Sequence, residues 1–325
     1  MSAVFATPAE ARVLSPAVCQ RINRRIEDEQ RHPNAERNWL PSLVEQQRPL
    51  RLSYEFMKPR LPYFRTMLLE GGPVQYPDCQ VPTIPSWFSI DPLSHIVRSR
   101  RQLAGQRRVQ EALLRRERVL RVHFDEDLIG WPYHSRRFVL WGQAETAANL
   151  NKSLYYSLLS HFVDLSRVSR VVDIGGGYGG LLSGILASHQ HIEGCLIEMP
   201  YLCVVADYYL GRKFGEVSLV DDEPLSGQAR VSVMLPWMFD RLTATLDLAI
   251  NTMSFQHMAQ ANHEYYFSNL ARLGVKQLFS VNREHGTREG EAPFLSTAYK
   301  YGYRLEKTIT LDPWSAEHRV HLLVA

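Results

Sequence analysis

The stretch Val171-Val172-Asp173-Ile174-Gly175-Gly176-Gly177-Tyr178-Gly179-Gly180 joins an apolar run to an acid and a cluster of glycines. Glycine lets the backbone turn sharply and lets a ligand approach it closely, and the start of a following helix offers N–H groups that lack intrahelical partners. Such a loop can hold an elongated polar ligand. A second acid, Glu198, closes the apolar run Cys195-Leu196-Ile197 and is followed by Met199-Pro200. It stands about 20 residues beyond Gly177, the separation at which a carboxylate can accept hydrogen bonds from both hydroxyls of a ribose.

Two ligands fit this spacing. Gly175-x-Gly177-x-x-Gly180 matches the dinucleotide fingerprint, and Asp173-x-Gly175-x-Gly177-x-Gly179 matches equally well a loop that holds S-adenosylmethionine. Charge separates them: an acid at the strand end repels an anionic pyrophosphate but favours the sulfonium and ammonium of the methyl donor. Asp173, Gly175, Gly177 and Gly179 are therefore expected to hold S-adenosylmethionine, with Glu198 and the adjoining Met199 beside its ribose. The alternative, a structural turn next to an incidental surface acid, leaves the ordered succession of strand, loop, helix, strand and acid unexplained.

Methyl transfer to a hydroxyl needs in-line alignment, exclusion of water and a base for the acceptor proton. Ligands of open α/β sheets sit beyond the carboxyl ends of the strands, so attention falls on the residues after the run Leu246–Asn251. His257 is there and is the preferred general base; His263, Glu264, Glu284 and His285 compete for the role. Asn251 is expected either to hydrogen-bond the amino-acid end of the cofactor or the acceptor, or to cap the strand end. Ser254 and Phe255 are expected to shape the acceptor rim. Pro236 and Trp237, with Met238, offer a flat wall for an adenine ring, core packing being the other reading. Tyr133, His134, Arg137 and Trp141 lie in an aromatic and arginine-rich stretch that is expected to roof the acceptor pocket. The acidic run Asp221-Asp222-Glu223 reads as a solvated loop, and no metal site is expected.

Four segments together resemble a known family: the loop Asp173–Gly180, the step Glu198-Met199-Pro200, the helix end Asp207-Tyr208-Tyr209-Leu210, and Asp247-Leu248-Ala249-Ile250-Asn251-Thr252-Met253-Ser254-Phe255-Gln256-His257-Met258. They are similar to the sugar O-methyltransferases of bacterial polysaccharide and natural-product clusters, over roughly residues 130 to 285. The resemblance implies a class I methyltransferase fold, S-adenosylmethionine as cofactor, methyl transfer to a hydroxyl, and a sugar-like or glycosylated acceptor. That family more often carries Asp where this chain has Glu198, and Glu where it has His257. The position of His257 is also close to that of the catalytic histidine in the O-methyltransferases of plant phenolic metabolism. Two alternatives stay open: N- or O-methylation of a non-sugar metabolite, and a non-catalytic module that binds cofactor or RNA.

The elements that must position these residues follow from hydrophobic patterning. Short apolar runs separated by amphipathic stretches predict a mostly parallel sheet with strands at Arg170–Ile174, Gly194–Ile197, Val231–Leu235, Leu246–Asn251 and Gln277–Val281. Helices are expected near Tyr178–His189, Tyr201–Leu210 and Asn262–Leu273, and Tyr303–Asp312 with Glu317–Val324 predicts a closing antiparallel hairpin. Upstream, Ser15-Pro16 reads as the start of a short helix carrying Val18, Ile22 and Ile26, and Gly71 to Pro92 as an aromatic-bearing loop. Arg98 to Arg121 reads as a basic amphipathic helix, with Val109, Ala112, Leu113 and Leu120 on one side, and Ala144 to Phe162 as another helix. The expected division is a mainly helical region over residues 1–149, for acceptor binding or oligomerisation, and a cofactor-binding domain over 150–325.

Composition bounds the rest. At 325 residues, 45% hydrophobic and 22% charged, the chain is long and apolar enough for a substantial core, which excludes a disordered or collagen-like chain. A net charge of +3 is too mild to point to nucleic acid by itself. The arginines of Arg98–Arg121 suit either an anionic partner or pairing with acids of the fold. Cys19, Cys79, Cys195 and Cys203 share no CxxC spacing and read as free thiols in a reducing compartment. With no apolar stretch near 18 residues and no leader pattern, the expected location is the cytoplasm. The expected partner is a small-molecule hydroxyl acceptor, with neither nucleic acid nor membrane, and a homodimer is the candidate assembly.

Overall fold

The computed structural model describes residues 20–21, 24, 92–122, 138–140, 143–145, 147–219, 224–225, 227, 229–284, 293–312 and 315–325. An eight-stranded sheet forms its centre. In chain order its strands are β3 (Arg170–Ile174), β4 (Glu193–Ile197), β5 (Val217–Leu219), β6 (Val231–Met234), β7 (Leu248–Thr252), β8 (Gln277–Arg283), β9 (Arg304–Leu311) and β10 (Ser315–Val324). A separate two-stranded ribbon pairs β1 (Phe138–Leu140) with β2 (Gln143–Glu145). Across the main sheet the order is β5-β6-β4-β3-β7-β8-β10-β9, and β10 alone runs antiparallel to its neighbours β8 and β9. The chain leaves β3 to β4 on one side and later returns to β7 on the other. That reversal opens a crevice at the carboxyl end of β3.

These strands form because both faces of a parallel sheet are covered, which calls for continuous apolar runs of the kind seen here. Val171, Val172, Ile174, Leu196, Ile197, Leu248, Ala249 and Ile250 are all fully buried. Burying each of the larger aliphatics stabilises the fold by about 1.5–3 kcal/mol. The covering helices are α1 (Pro92–Arg116), α2 (Ala147–Phe162), α3 (Gly180–Ser188), α4 (Pro200–Phe214), α5 (Gln260–Arg272) and α6 (Phe294–Lys300). Pro200 opens α4 at a position where its missing N–H costs nothing.

The sheet and hairpin match the sequence expectation closely, while the short edge strand β5, the β1–β2 ribbon and α6 had no strong pattern of their own. The boundary expected at 149/150 falls inside α2. The basic helix needs correction. It ends at Arg116, because Arg118 takes φ 57 and the Val119 N–H bonds back to the Leu114 carbonyl, a left-handed helix stop. Leu113 and Leu114 are buried, but Ala112 is exposed and Leu120 is 87% exposed, so neither belongs to the packed face. Among its arginines, Arg107 pairs with Glu111, Arg116 reaches Glu117 and the carbonyls of Thr310 and Asp312, and Arg121 donates to Gln110. Residues 20, 21 and 24 are helical; the rest of the Ser15-Pro16 helix and residues 71–91 of the expected Gly71–Pro92 loop lie outside the described residues, and Pro92 opens α1. Among the described residues no helix is long and apolar enough to cross a membrane. Cys195 and Cys203 are buried free thiols, whereas Cys19 and Cys79 lie outside the described residues.

Candidate functional site

The glycine loop leaves β3 and folds over its last acid. Asp173 is fully buried, and neither of its carboxylate oxygens has a hydrogen-bond partner. A Cβ on Gly176 would collide with the Asp173 carboxylate, so the loop lies directly on that side chain. Burial, reinforced by the nearby Glu198 charge, pushes the Asp173 pKa up to about 7, while the Lys152 ammonium pulls it down. Gly175 adopts φ +69 and packs so tightly against Ser254 that any Cβ would strike its hydroxyl. Gly177 adopts φ +65, yet an added Cβ there would meet no protein atom within 4 Å. Gly179, at φ +84, is the N-cap of α3 and lies against Leu210.

Glu198 sits at the end of β4, 7% exposed. One oxygen accepts from the Gly177 N–H at 3.0 Å and the other from the Met199 N–H at 2.8 Å. Two acceptor positions remain on such a carboxylate, enough for a pair of hydroxyls. Desolvation raises the Glu198 pKa to about 7 against the lowering effect of those two N–H groups. Tyr209, from the Asp207–Leu210 segment, braces the loop from behind: its ring meets Tyr178 edge-on at 4.8 Å and its hydroxyl lies 3.2 Å from Ser183.

Sequence reasoning missed Lys152. Its ammonium lies 3.7 Å from the centre of the Tyr178 ring and touches the position a Cβ of Gly180 would take. A lone lysine on the helix before the loop carries no motif, and only packing of α2 against α3 brings it there. Asp173 and Lys152 together set an anion and a cation beside one glycine loop, the charge pattern that a zwitterionic amino-acid end requires.

At the end of β7 the structure shows the strand-capping reading of Asn251 and revises that of Phe255. Asn251 is fully buried and its amide is engaged internally: Nδ2 donates to the Ile174 carbonyl at 2.7 Å, while Oδ1 accepts from the Phe255 N–H and from Asn282 Nδ2. It ties β3, β7 and β8 together, as a strand-end cap does. Phe255 is also fully buried, packed with His263, Tyr266, Phe267 and Phe294, so it belongs to the core rather than a rim. Between them Met253 adopts φ 62, rare for a residue with a side chain, and this turn swings Ser254 onto Gly175.

His257 is exposed at the end of a short 3-10 turn, Phe255–His257. The Gln256 side chain anchors that turn: its Oε1 accepts from the Arg283 N–H at 2.9 Å, and its backbone N–H donates to Asn282 Oδ1. With Oε1 facing a donor, Gln256 Nε2 faces His257 Nε2 at 3.0 Å, so that imidazole nitrogen is the acceptor and the ring proton sits on Nδ1. Of the competing bases, His263 is fully buried with Nε2 on the Phe255 carbonyl, and Glu264 pairs with Lys300 at 2.9 Å. Glu284 lies 3.9 Å from Arg319. His285 lies outside the described residues.

After β6, Pro236 and Trp237 open a 3-10 helix and are buried with Met238. The Trp237 Nε1–H is buried without a hydrogen-bond acceptor. Tyr133, His134, Arg137, Trp141 and the run Asp221-Asp222-Glu223 lie outside the described residues. Among the described residues no group of three metal-ligating side chains converges.

No family model matches the chain. It is 40% identical over 48 residues to 3-hydroxy-5-methyl-1-naphthoate 3-O-methyltransferase of Streptomyces sahachiroi, covering 15% of this chain and 14% of that protein. It is 32% identical over 110 residues to 2,7-dihydroxy-5-methyl-1-naphthoate 7-O-methyltransferase of Streptomyces carzinostaticus, covering 34% of this chain and 28% of that one. The likeness is to natural-product O-methyltransferases. These matches span less than a third of the length of either relative. Among solved structures, the pyocyanin biosynthetic protein PhzM aligns over 55% of this chain and 56% of its own, at 17% identity and a TM-score of 0.40.

Proposed function

We propose that the chain is an S-adenosylmethionine-dependent O-methyltransferase acting on a hydroxyl of a small natural-product molecule. The observation that carries this reading is Asp173: a carboxylate fully buried under a glycine loop with no hydrogen bond to either oxygen. An unpartnered buried acid is costly, and a cationic ligand at the crevice relieves it. The residues present fit the methyl donor, whose sulfonium supplies an activated methyl group. Asp173 faces its ammonium end and Lys152 its carboxylate, while Glu198 has acceptor capacity left for the ribose hydroxyls. Gly177 leaves room for close approach, and the Trp237 indole N–H offers a donor toward the adenine. A nicotinamide dinucleotide fits less well, since its pyrophosphate would lie over the Asp173 carboxylate, while Glu198 suits the ribose of either ligand.

His257 is the proposed general base. Its Nε2 lone pair is engaged by Gln256, so an acceptor hydroxyl displaces that amide before giving up its proton. The acceptor belongs to one of two classes. The motif Asn251–Met258 supports a sugar or glycosylated compound, and the naphthoate-methylating relatives support an aromatic hydroxyl. Cytoplasmic residence and a homodimer belong to the same reading. The test is incubation with methyl-labelled S-adenosylmethionine and a panel of hydroxylated sugars and arenes, followed by mass spectrometry. Labelled product supports the proposal; failure of the protein to bind the methyl donor in calorimetry overturns it.

A further inference from the structure

The carboxyl end of the sheet carries a second group that the cofactor does not use. Arg283 ends β8 half-buried, and its Nε–H is buried without a hydrogen-bond acceptor. Among the described residues Arg283 forms no ion pair. A guanidinium cannot lose its charge at neutral pH, so an acceptor brought from outside would satisfy this desolvated donor. His318 lies directly opposite Arg283 in the β8–β10 ladder, and paired residues of an antiparallel ladder share one face. Burial, with the charge of Arg283, holds His318 below the usual histidine pKa, so it is neutral at pH 7 and its Nδ1 lies 2.6 Å from the Ser315 hydroxyl. The other charged groups around His318 are Glu317 and Arg319, the His257 ring lies nearby, and Glu284 faces Arg319 rather than Arg283. Gln256 links this pair to His257, because it clamps the Arg283 N–H with one end of its amide and the His257 ring with the other.

We infer that Arg283 and His318 form an oxyanion subsite beside His257, which holds a carboxylate or phosphate group of the acceptor. The inference rests on the acceptor-side reading of His257. A fixed guanidinium fork recognises either oxyanion by charge-assisted hydrogen bonds, and an anion held there would orient the neighbouring hydroxyl toward the base. The two sources differ in scaffold: an aromatic hydroxy acid brings a carboxylate, and a sugar phosphate brings a phosphate.

The test measures binding by calorimetry and saturation-transfer NMR, with and without S-adenosylhomocysteine. The probes are 1-naphthoate against its methyl ester and glucose 6-phosphate against glucose. At least one anion is expected to bind tenfold or more tightly than its neutral counterpart, and which one does so names the scaffold. Arg283→Gln removes that preference and Arg283→Lys keeps part of it, with S-adenosylhomocysteine affinity within twofold of wild type as the check on folding. Equal binding of anion and neutral probe in both pairs, no binding by any probe, or a preference that survives Arg283→Gln overturns the subsite. If S-adenosylhomocysteine itself does not bind while the anion preference persists, the cofactor reading fails and the subsite stands.

Discussion

Asp173→Asn separates the stability of the fold from its capacity to bind. In the ligand-free protein Asp173 has a pKa of about 7, above the ordinary 3.8, because it is buried beside Glu198. A carboxylate raised in this way stabilises the fold fully only below its unfolded pKa, and that contribution is lost as pH climbs through the folded value. Each pH unit between the two is worth about 1.4 kcal/mol, so from pH 5 to pH 8 wild type loses about 3 kcal/mol through this group alone. The asparagine variant keeps the shape and has no proton to lose. Differential scanning fluorimetry of both proteins at pH 5 and pH 8 should show the variant gaining roughly 5–10 °C on wild type as pH rises. In calorimetry at pH 8 the same variant should lose about 10–100-fold in affinity for S-adenosylmethionine, the value of one charge-assisted contact. A melting difference that stays constant across pH would refute the buried-charge argument, and unchanged affinity would refute the assignment of Asp173 to the cationic ligand.

Wild-type affinity for S-adenosylmethionine should itself rise with pH up to about 7 and then level, because ligand binding needs Asp173 ionised; a flat profile between pH 6 and 8 would contradict the carboxylate's role. Gly177→Val should abolish that binding, both by filling the approach to the loop and by forcing a β-branched residue to φ +65; retained affinity would remove the loop from the site. His257→Ala should cut turnover at least ~100-fold with cofactor affinity within about threefold, and wild-type turnover in that variant would exclude His257 as the base. Asn251→Leu should destabilise the protein by about 2–4 kcal/mol in chemical denaturation, since it strands the Ile174 carbonyl, the Phe255 N–H and the Asn282 amide inside the core; a neutral result would show that the network is not structural. EDTA should leave methyl transfer within twofold, whereas a loss reversed by magnesium would reveal a metal requirement.

Local chemistry made the cofactor side readable in the sequence. Asp173, the glycines and Glu198 are each set by a strand end or a turn, and a strand, a turn and the next strand are contiguous in the chain, so their spacing already implies their meeting. The five parallel strands were legible because buried parallel strands leave unbroken apolar runs, and the closing antiparallel hairpin because two strand-like stretches flank a turn at Pro313-Trp314. The chain does not announce how a given polar residue will use its hydrogen bonds. Asn251 reads in the sequence as a ligand contact or a strand cap, and only the packing of β7 against β8 turns it on Asn282, whose Oδ1 takes the Gln256 N–H. Phe255 and His263 look like rim and base, yet α5 and α6 close over them. Lys152 reaches the glycine loop from a helix before it, and Arg283 meets His318 from a strand 35 residues later in the chain, by the register of an antiparallel ladder. Contacts of that kind depend on which faces are buried against which, a property of the whole fold; spacing along the chain specifies only the neighbours that one turn or one strand can bring together.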